Sequence, residues 1–400
     1  MVTGETVVEE RGDVTPGARD TIKGVILLFA QVLPVMAVVS LFPAMPRLFA
    51  TFGAVPHASL LIPMIITVPS LCIALLSPFA GWIADRVGRR VTLNVALALY
   101  AVTGLVPLFT DSLALIIASR ALLGVAEACI VTVASTLVAD YFGEGRYRWL
   151  AWLSAVQSVC GTLLIAVGGM LADISWRGPF TIYAAAIPLF LLGLVFLDEP
   201  KARATRDEPI ATGGFPWKVA ASIGIVTLIA SVLYYVEPLH VAAVMQAGGA
   251  GSATRIGLVQ AITSVAYILG AFLYKRIYSQ PTGTLLGISG VLIGSGGVGI
   301  GLSHGYVAVG VFAAVQQFGA GMVIPTLLAW GQSQLPFEQR GRGMGIWAMF
   351  FFAGLFFCPA LTGLVGAGVG GLQPAFVTLG AVTIVLALLA FLVARRRVAA

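Results

Sequence analysis

Uninterrupted apolar stretches of about 18 residues or more recur along the whole length of this 400-residue chain, and no other feature constrains its fold as strongly. Coiled as a helix, each is long enough to cross roughly 30 Å of hydrocarbon. They fall near residues 24–47, 58–80, 91–109, 112–138, 149–171 and 179–197, and then near 219–240, 255–274, 284–303, 306–331, 343–366 and 374–394. Between the two sets runs a polar stretch, Asp198 to Lys218, with Pro200, Pro209 and Pro216 among Lys201, Arg203 and Arg206, the composition of a linker. The segments are continuously apolar and do not alternate with period two, which excludes a membrane β-barrel. A composition of 59% hydrophobic and 10% charged residues excludes a soluble protein, whose surface must be solvated. The fold class is therefore an all-α polytopic membrane protein of twelve helices. Its expected parts are a cytoplasmic tail at 1–22, a six-helix bundle at 23–197, a linker at 198–218 and a second bundle at 219–400 with a short cytoplasmic tail.

The formal net charge of +6 does not point to nucleic acid, because the 23 Lys and Arg residues lie scattered in short loops without interleaved aromatics. They report topology. With both termini in the cytoplasm, all the basic residues fall on the inside except Arg47, Arg177 and Arg255, which face out, and Arg120, which lies within a span. Cys72, Cys129, Cys160 and Cys358 sit singly in apolar segments and read as packing residues. His57, His240 and His304 map to outer loops or helix ends and form no metal constellation. Gly294 to Gly299 satisfies GxGxxG, yet it lies mid-span with no strand before it and reads as close helix packing. No Walker loop is present, which argues against self-contained ATP-driven pumping.

The two halves repeat each other. FGEGR, Phe142 to Arg146, precedes span five as PFEQR, Pro336 to Arg340, precedes span eleven, and Gly169 and Pro179 recur as Gly363 and Pro374. A duplicated six-helix unit of this kind is how secondary transporters place a substrate site near the bilayer midplane.

The most specific motif is Gly81-Trp-Ile-Ala-Asp85-Arg86-Val-Gly88-Arg89-Arg90, after span two. It resembles the signature loop of the major facilitator superfamily, with a weakened copy after span eight at Gly270 to Arg276 that has Tyr274 in place of the acid. A glycine permits close helix approach, and an aspartate can accept hydrogen bonds from a facing helix N-terminus, an arrangement that latches one conformation. A purely topological reading, in which the basic residues only anchor the loop, explains Arg86, Arg89 and Arg90 but not Asp85. The resemblance further implies that Asp85 braces span eleven and that Arg89 pairs with Asp140 at the end of span four.

Arg120-Ala-Leu-Leu-Gly124 resembles the span-four motif of the proton-coupled exporters of that superfamily, with Leu123 where a glutamine is common. The Gly-Pro-x-x-Gly-Gly motif of exporter span five survives only as Gly168 and Gly169, with Leu164 and Ile165 ahead of them, which leaves uptake open. Trp176-Arg177-Gly-Pro179-Phe180 again looks like the exporter branch.

Charges inside a bilayer are costly, so the ones that persist are functional candidates. Arg120 and Glu127 stand seven residues apart on one helix face, about 10 Å apart along the axis, too far for direct pairing. A carboxyl that exchanges a proton beside a fixed guanidinium is one reading: Glu127 couples to protons while Arg120 tunes it or meets an anionic substrate group. A structural ion pair with another helix is the other. Glu237, near the outer mouth of span seven, reads as either a gating or substrate contact or a solvated interfacial residue. Ser154, Gln157, Ser158 and Gly161 on span five, and Gln260, Thr263, Ser264 and Tyr267 on span eight, form polar stripes that either line a cavity or join helices. Gln31, Tyr234, Gln316, Gln317, Trp347 and Phe350 complete the expected cavity wall, its aromatics suited to a flat or amphipathic substrate, unless they face lipid.

The resemblance implies a transporter, not an enzyme, in a bacterial inner membrane. Two bundles would rock about a central site, working as a monomer with a small-molecule substrate and protons as partners. It needs no cofactor and no metal, and it draws on the proton gradient. Export of a drug-like or metabolite-sized molecule is the expectation, proton-coupled uptake the alternative, and a non-transporting polytopic protein the more remote one.

Overall fold

The computed structural model describes residues 18–200, 215–336 and 339–399. Linker residues 201–214, and the side chains of Ser154, Arg146 and Arg395 to Arg397, lie outside that description. Twelve helices are long and apolar enough to cross a membrane, and no strand occurs among the described residues. In chain order they are α1 (Ala18–Phe52), α2 (Ala58–Val87), α3 (Arg89–Leu108), α4 (Leu113–Phe142), α5 (Arg146–Ile174), α6 (Gly178–Phe196), α7 (Trp217–Ala247), α8 (Ala253–Ile277), α9 (Thr282–Leu302), α10 (Tyr306–Gln334), α11 (Arg340–Val369) and α12 (Leu372–Ala399). Helix is the form these segments must take, because in hydrocarbon every backbone N–H and C=O has to be paired within the segment. α1 departs from regular helix near Pro43, where a 3-10 turn spans Phe42–Ala44. α2 runs through Pro63, Pro69 and Pro78, which neighbouring helices allow it to tolerate.

Most helices run past the apolar stretches that announced them. α7 is the instructive case: the sequence suggests an end near 240, but Val241 to Met245 continue the apolar face and the helix runs to Ala247. His240 therefore lies within α7 and not at its end, its Nδ1 3.0 Å from the Val236 carbonyl.

The packing repeats between halves. α2 packs on α4, α1 on α4 and α5, and α3 on α4 and α6; the second half pairs α8 with α10, α7 with α10 and α11, and α9 with α10 and α12. Across the halves, α5 packs on α8 and α2 on α11, pairings that exchange when one half is superposed on the other in order. A duplicated unit with a pseudo-two-fold axis gives this pattern. α3, α6, α9 and α12 pack within their own halves and form the periphery.

Close approach at the α5–α8 crossing depends on glycine. A Cβ on Gly169 would lie 2.5 Å from the Ala253 carbonyl oxygen and 3.1 Å from the Gly257 Cα. Small residues bring membrane helices into backbone contact, where van der Waals packing replaces a hydrophobic drive that lipid does not supply.

The loops at 87–89, 143–145 and 278–281 share one end of the bundle with the starts of α1, α7 and α11 and the ends of α6, α10 and α12; this is the basic end. The loops at 53–57, 109–112, 175–178, 248–252, 303–305 and 370–371 share the other, the far end.

Candidate functional site

Every residue expected in the central site falls on α1, α4, α5, α7, α8, α10 or α11, and none on the four peripheral helices. In the first half, α4 carries Arg120 and Glu127 with 0% and 1% of their surfaces exposed. The Arg120 guanidinium donates from Nη2 to the Thr103 and Gly104 carbonyls, at 2.8 and 3.0 Å. It stacks 4.8 Å from the Tyr183 ring and 5.3 Å from the Phe180 ring. A desolvated cation on an aromatic face gains about 2 kcal/mol, which helps offset the loss of water. Tyr183 and Tyr100 are pinned in turn to the Ala37 and Leu33 carbonyls of α1, at 2.9 and 2.8 Å.

Arg120 is thus held at the ends of α3 and α6, with its Nε and Nη1 buried without a hydrogen-bond partner. No bond joins it to Glu127, and the carboxyl Oε1 of Glu127 is buried without a hydrogen-bond partner.

Beside them, α1, α4 and α5 meet through Gln31. Its side-chain Oε1 accepts from the Ser135 hydroxyl at 3.0 Å, and its backbone carbonyl accepts from Gln157 Nε2 at 2.9 Å. Ser264 of the α8 stripe hydrogen-bonds across the halves to Thr162, one residue beyond the α5 stripe, at 2.8 Å, and Ser158, about one turn closer to the basic end, is exposed.

In the second half, Glu237 is only 2% exposed and its Oε2 accepts from Gln317 Nε2 at 2.5 Å. The sequence places it at an outer mouth; the extension of α7 puts it about 15 Å short of the helix end instead. It lines a cavity of about 10 Å³ with Gln316, Gly297 and Thr383, inside its own half. Gln316 Nε2 donates to the Tyr234 carbonyl at 3.3 Å.

An aromatic cluster stands next to these groups. Ring centroids lie 4.7 Å apart for Tyr234 and Tyr235, 6.4 Å for Tyr234 and Tyr267, 5.6 Å for Tyr235 and Phe351, and 5.2 Å for Trp347 and Phe351, which stack. Phe350, expected in the wall, packs instead on Gly224 of α7. Phe351 takes its place because it follows Trp347 by four residues, on the same helix face. Gln31 Nε2, Glu127 Oε1, Gln260 Oε1, Gln316 Oε1 and Trp347 Nε1 are all buried with no protein partner. Buried polar atoms are normally paired, so these unpaired donors and acceptors, drawn from both halves, stand out from the rest of the packed interior.

The Gly81–Arg90 loop is held by its own half. Arg89 bonds Asp140, as expected, and bonds Asp85 at 3.0 Å. Gly81 packs on Thr132, and Arg86 lies over the Trp82 ring at 4.0 Å. Gly88 takes φ +106°, a left-handed conformation natural to glycine, which lets the chain turn sharply between α2 and α3. The sequence does not single out Glu199, yet its carboxylate caps α3 by accepting from the Arg89 and Arg90 N–H groups at 2.6 and 3.0 Å. Arg90 also donates to the Leu194 carbonyl at 2.6 Å. Lys23 and Arg19 pair with Asp198 at 2.9 and 3.1 Å, and the Lys23 hydrogen bond leads the effects that hold the Asp198 carboxyl below its usual range.

Asp85 departs from the role the resemblance implies. Its side chain is 65% exposed, and its described partner is Arg89, not the start of α11. There, a Cβ built on Gly341 or Gly345 meets nothing within 4 Å, whereas one on Gly343 between them would lie 2.2 Å from the Leu335 side chain.

Known proteins fit this geometry. Quinolone resistance protein NorA of Staphylococcus aureus is 26% identical over 163 residues, 39% of this chain and 42% of the relative. Tetracycline resistance protein, class B, of Escherichia coli is 28% identical over 187 residues, 46% of this chain and 45% of the relative. The chain thus spans less than half the length of these curated relatives. Among solved structures, a bacterial homologue of the human lysosomal transporter Spinster, inward-facing and occupied, superposes with a TM-score of 0.80 at 14% identity, over 96% of this chain and 98% of that one. A variant of the nucleoside transporter NupG gives 0.76 at 10% identity, over 93% and 99%. The Major Facilitator Superfamily profile matches residues 27–247 and 219–400, one stretch for each half of the duplicated fold. With both halves matched and the twelve-helix architecture shared, this chain belongs to the major facilitator superfamily.

Proposed function

We propose that this chain is a transporter, not an enzyme, and exports an amphipathic organic molecule in exchange for protons. It would sit in a bacterial inner membrane, as a monomer, with the basic end in the cytoplasm. The observation that carries the reading is Glu127: a carboxyl buried in the first half, with one oxygen unpartnered, on the same helix as a buried arginine. A buried carboxylate without a hydrogen-bonded partner is costly, so its protonation state is tied to whether water reaches it. Protonation from outside and release inward would alternate with loading and release of substrate as the halves rock. The excess of Lys and Arg in the loops of one end supports the orientation.

Export is favoured over uptake by partial similarity to two drug-resistance proteins and by the α5–α8 crossing. Where exporters carry glycine, this chain has Leu164, yet Gly257 on α8 restores close approach by packing against the Ile165 carbonyl. The aromatic cluster beside amide groups suits a flat molecule with polar substituents.

The test is growth of an efflux-deficient bacterium on a broad panel of toxic compounds, comparing the unaltered chain with Glu127→Gln at matched membrane abundance. Protection that disappears in the variant is the expected result. Protection retained by the variant removes Glu127 from the proton path, and protection from no compound by either chain moves the reading to uptake.

A further inference from the structure

Asp173 lies in the last turn of α5, where the exposed carbonyls of its own helix disfavour a carboxylate. The compensation comes from the other half of the molecule. Asp173 Oδ1 accepts from the Ala253 N–H and Oδ2 from the Thr254 N–H, both at 2.8 Å. These are two of the N–H groups that the start of α8 leaves without intrahelical partners. Ser252, the N-cap residue, takes the Arg255 N–H at 3.1 Å, so the helix start is capped jointly by its own serine and by an aspartate from across the interface. Arg47, at the far end of α1, adds an ion pair to Asp173 Oδ1 at 3.1 Å. Below this cluster Ala44, Ala172 and Ala253 pack together, and Gly169 meets Gly257 backbone to backbone.

We infer that Asp173, with Arg47 and the N-terminus of α8, is a latch that holds the far ends of the two halves together and so sets the closed state of that face. Its placement mirrors Asp85. Each aspartate stands in the last turn of a helix that packs across the halves, α5 on α8 and α2 on α11, at opposite ends of the molecule. With an inverted relation between three-helix units, one device serves each face, and the two cannot both be engaged if the halves rock. Here the far-end latch is engaged, and Asp85 is turned to Arg89. Asp173 is a positioning residue: it touches no substrate and acts through the equilibrium between the two faces.

The test reads the far end directly and needs no substrate. Ala44, fully buried beside the latch, is replaced by cysteine in a chain whose Cys72, Cys129, Cys160 and Cys358 are alanine, and reaction with a hydrophilic maleimide is timed. Asp173→Ala is expected to speed labelling at least about tenfold, equivalent to about 1.4 kcal/mol in the closed-to-open ratio. Asp173→Asn keeps one acceptor but no charge and is expected to fall between. Gel-filtration profile and melting temperature identify a variant that has not folded; in that event Asp173→Asn and Arg47→Gln carry the test. Labelling as slow in the folded variants as in the parent would overturn the latch. A uniform rise that also appears with Arg177→Ala, whose partner Asp111 lies in its own half and outside both latches, would overturn it too, as general loosening. The result is independent of the direction of transport.

Discussion

The two ends of the interface treat equivalent carboxylates differently. At the far end Asp173 crosses between halves to two backbone N–H groups of α8, while at the basic end Asp85 turns back one helical turn to Arg89 and remains largely exposed. The first arrangement spends the carboxylate on holding the halves together; the second spends it within its own half. A helix-terminal carboxylate needs positive partial charge from somewhere, and whether it comes from the opposite half or from its own decides which face is shut. Packed interfaces of this kind are bistable, not continuously deformable, so small changes at either cluster should move populations between two states.

That contrast can be broken or sharpened at three further positions. The largest effect is expected from Gly169→Val, whose Cβ would sit 2.5 Å from the Ala253 carbonyl oxygen: overpacking of this sort costs about 1–3 kcal/mol and should wedge the far end open. Drug protection should fall at least tenfold at matched abundance, and labelling at position 44 should rise with it. Undiminished protection would mean the α5–α8 crossing need not close. Arg89→Ala comes next. It removes bonds to Asp140 and Asp85, both within the first half, and Arg89 is part-exposed, so a loss of about 1 kcal/mol is expected. Lowered thermal melting in detergent together with faster labelling at position 44 is the predicted pattern, because Asp85 loses its own-half partner and is released to the opposite half. Arg47→Gln should do least. The arginine is half-exposed and Asp173 keeps both backbone N–H bonds, so labelling should change by about twofold, corresponding to a few tenths of a kcal/mol.

Much of this was legible in the sequence because lipid leaves few choices. Continuous apolar runs fixed helix number and order, and the Gly81–Arg90 loop and Asp140 marked a cluster that the structure brings together. The errors have identifiable causes. Glu237 reads as a mouth residue only if α7 is cut at the polar His240, whereas Val241 to Met245 carry the helix onward. Phe350 enters the expected wall only while helical phase is ignored: Trp347 at i and Phe351 at i+4 share a face, and Phe350 points to Gly224. Asp173 was invisible for a deeper reason. Its main partners are backbone N–H groups 80 residues away, and a backbone group leaves no signature in sequence. The one available hint is an acid in the final turn of a helix, where it is locally unfavourable. Glu199 was missed likewise, as a linker residue whose partners are the backbone of Arg89 and Arg90.

The link between Glu127 and the far-end latch is the centre of this mechanism, and spin-label distances test it without knowledge of the substrate. Thr51 and Gln246, exposed at the far ends of α1 and α7, would be replaced by cysteine in the cysteine-free chain and labelled. Their separation would be measured at acidic and alkaline pH, with and without Glu127→Gln. A distance distribution that shifts with pH in the parent and not in the variant is the predicted result. A distribution indifferent to pH in the parent, or equally responsive in the variant, would contradict proton coupling through Glu127.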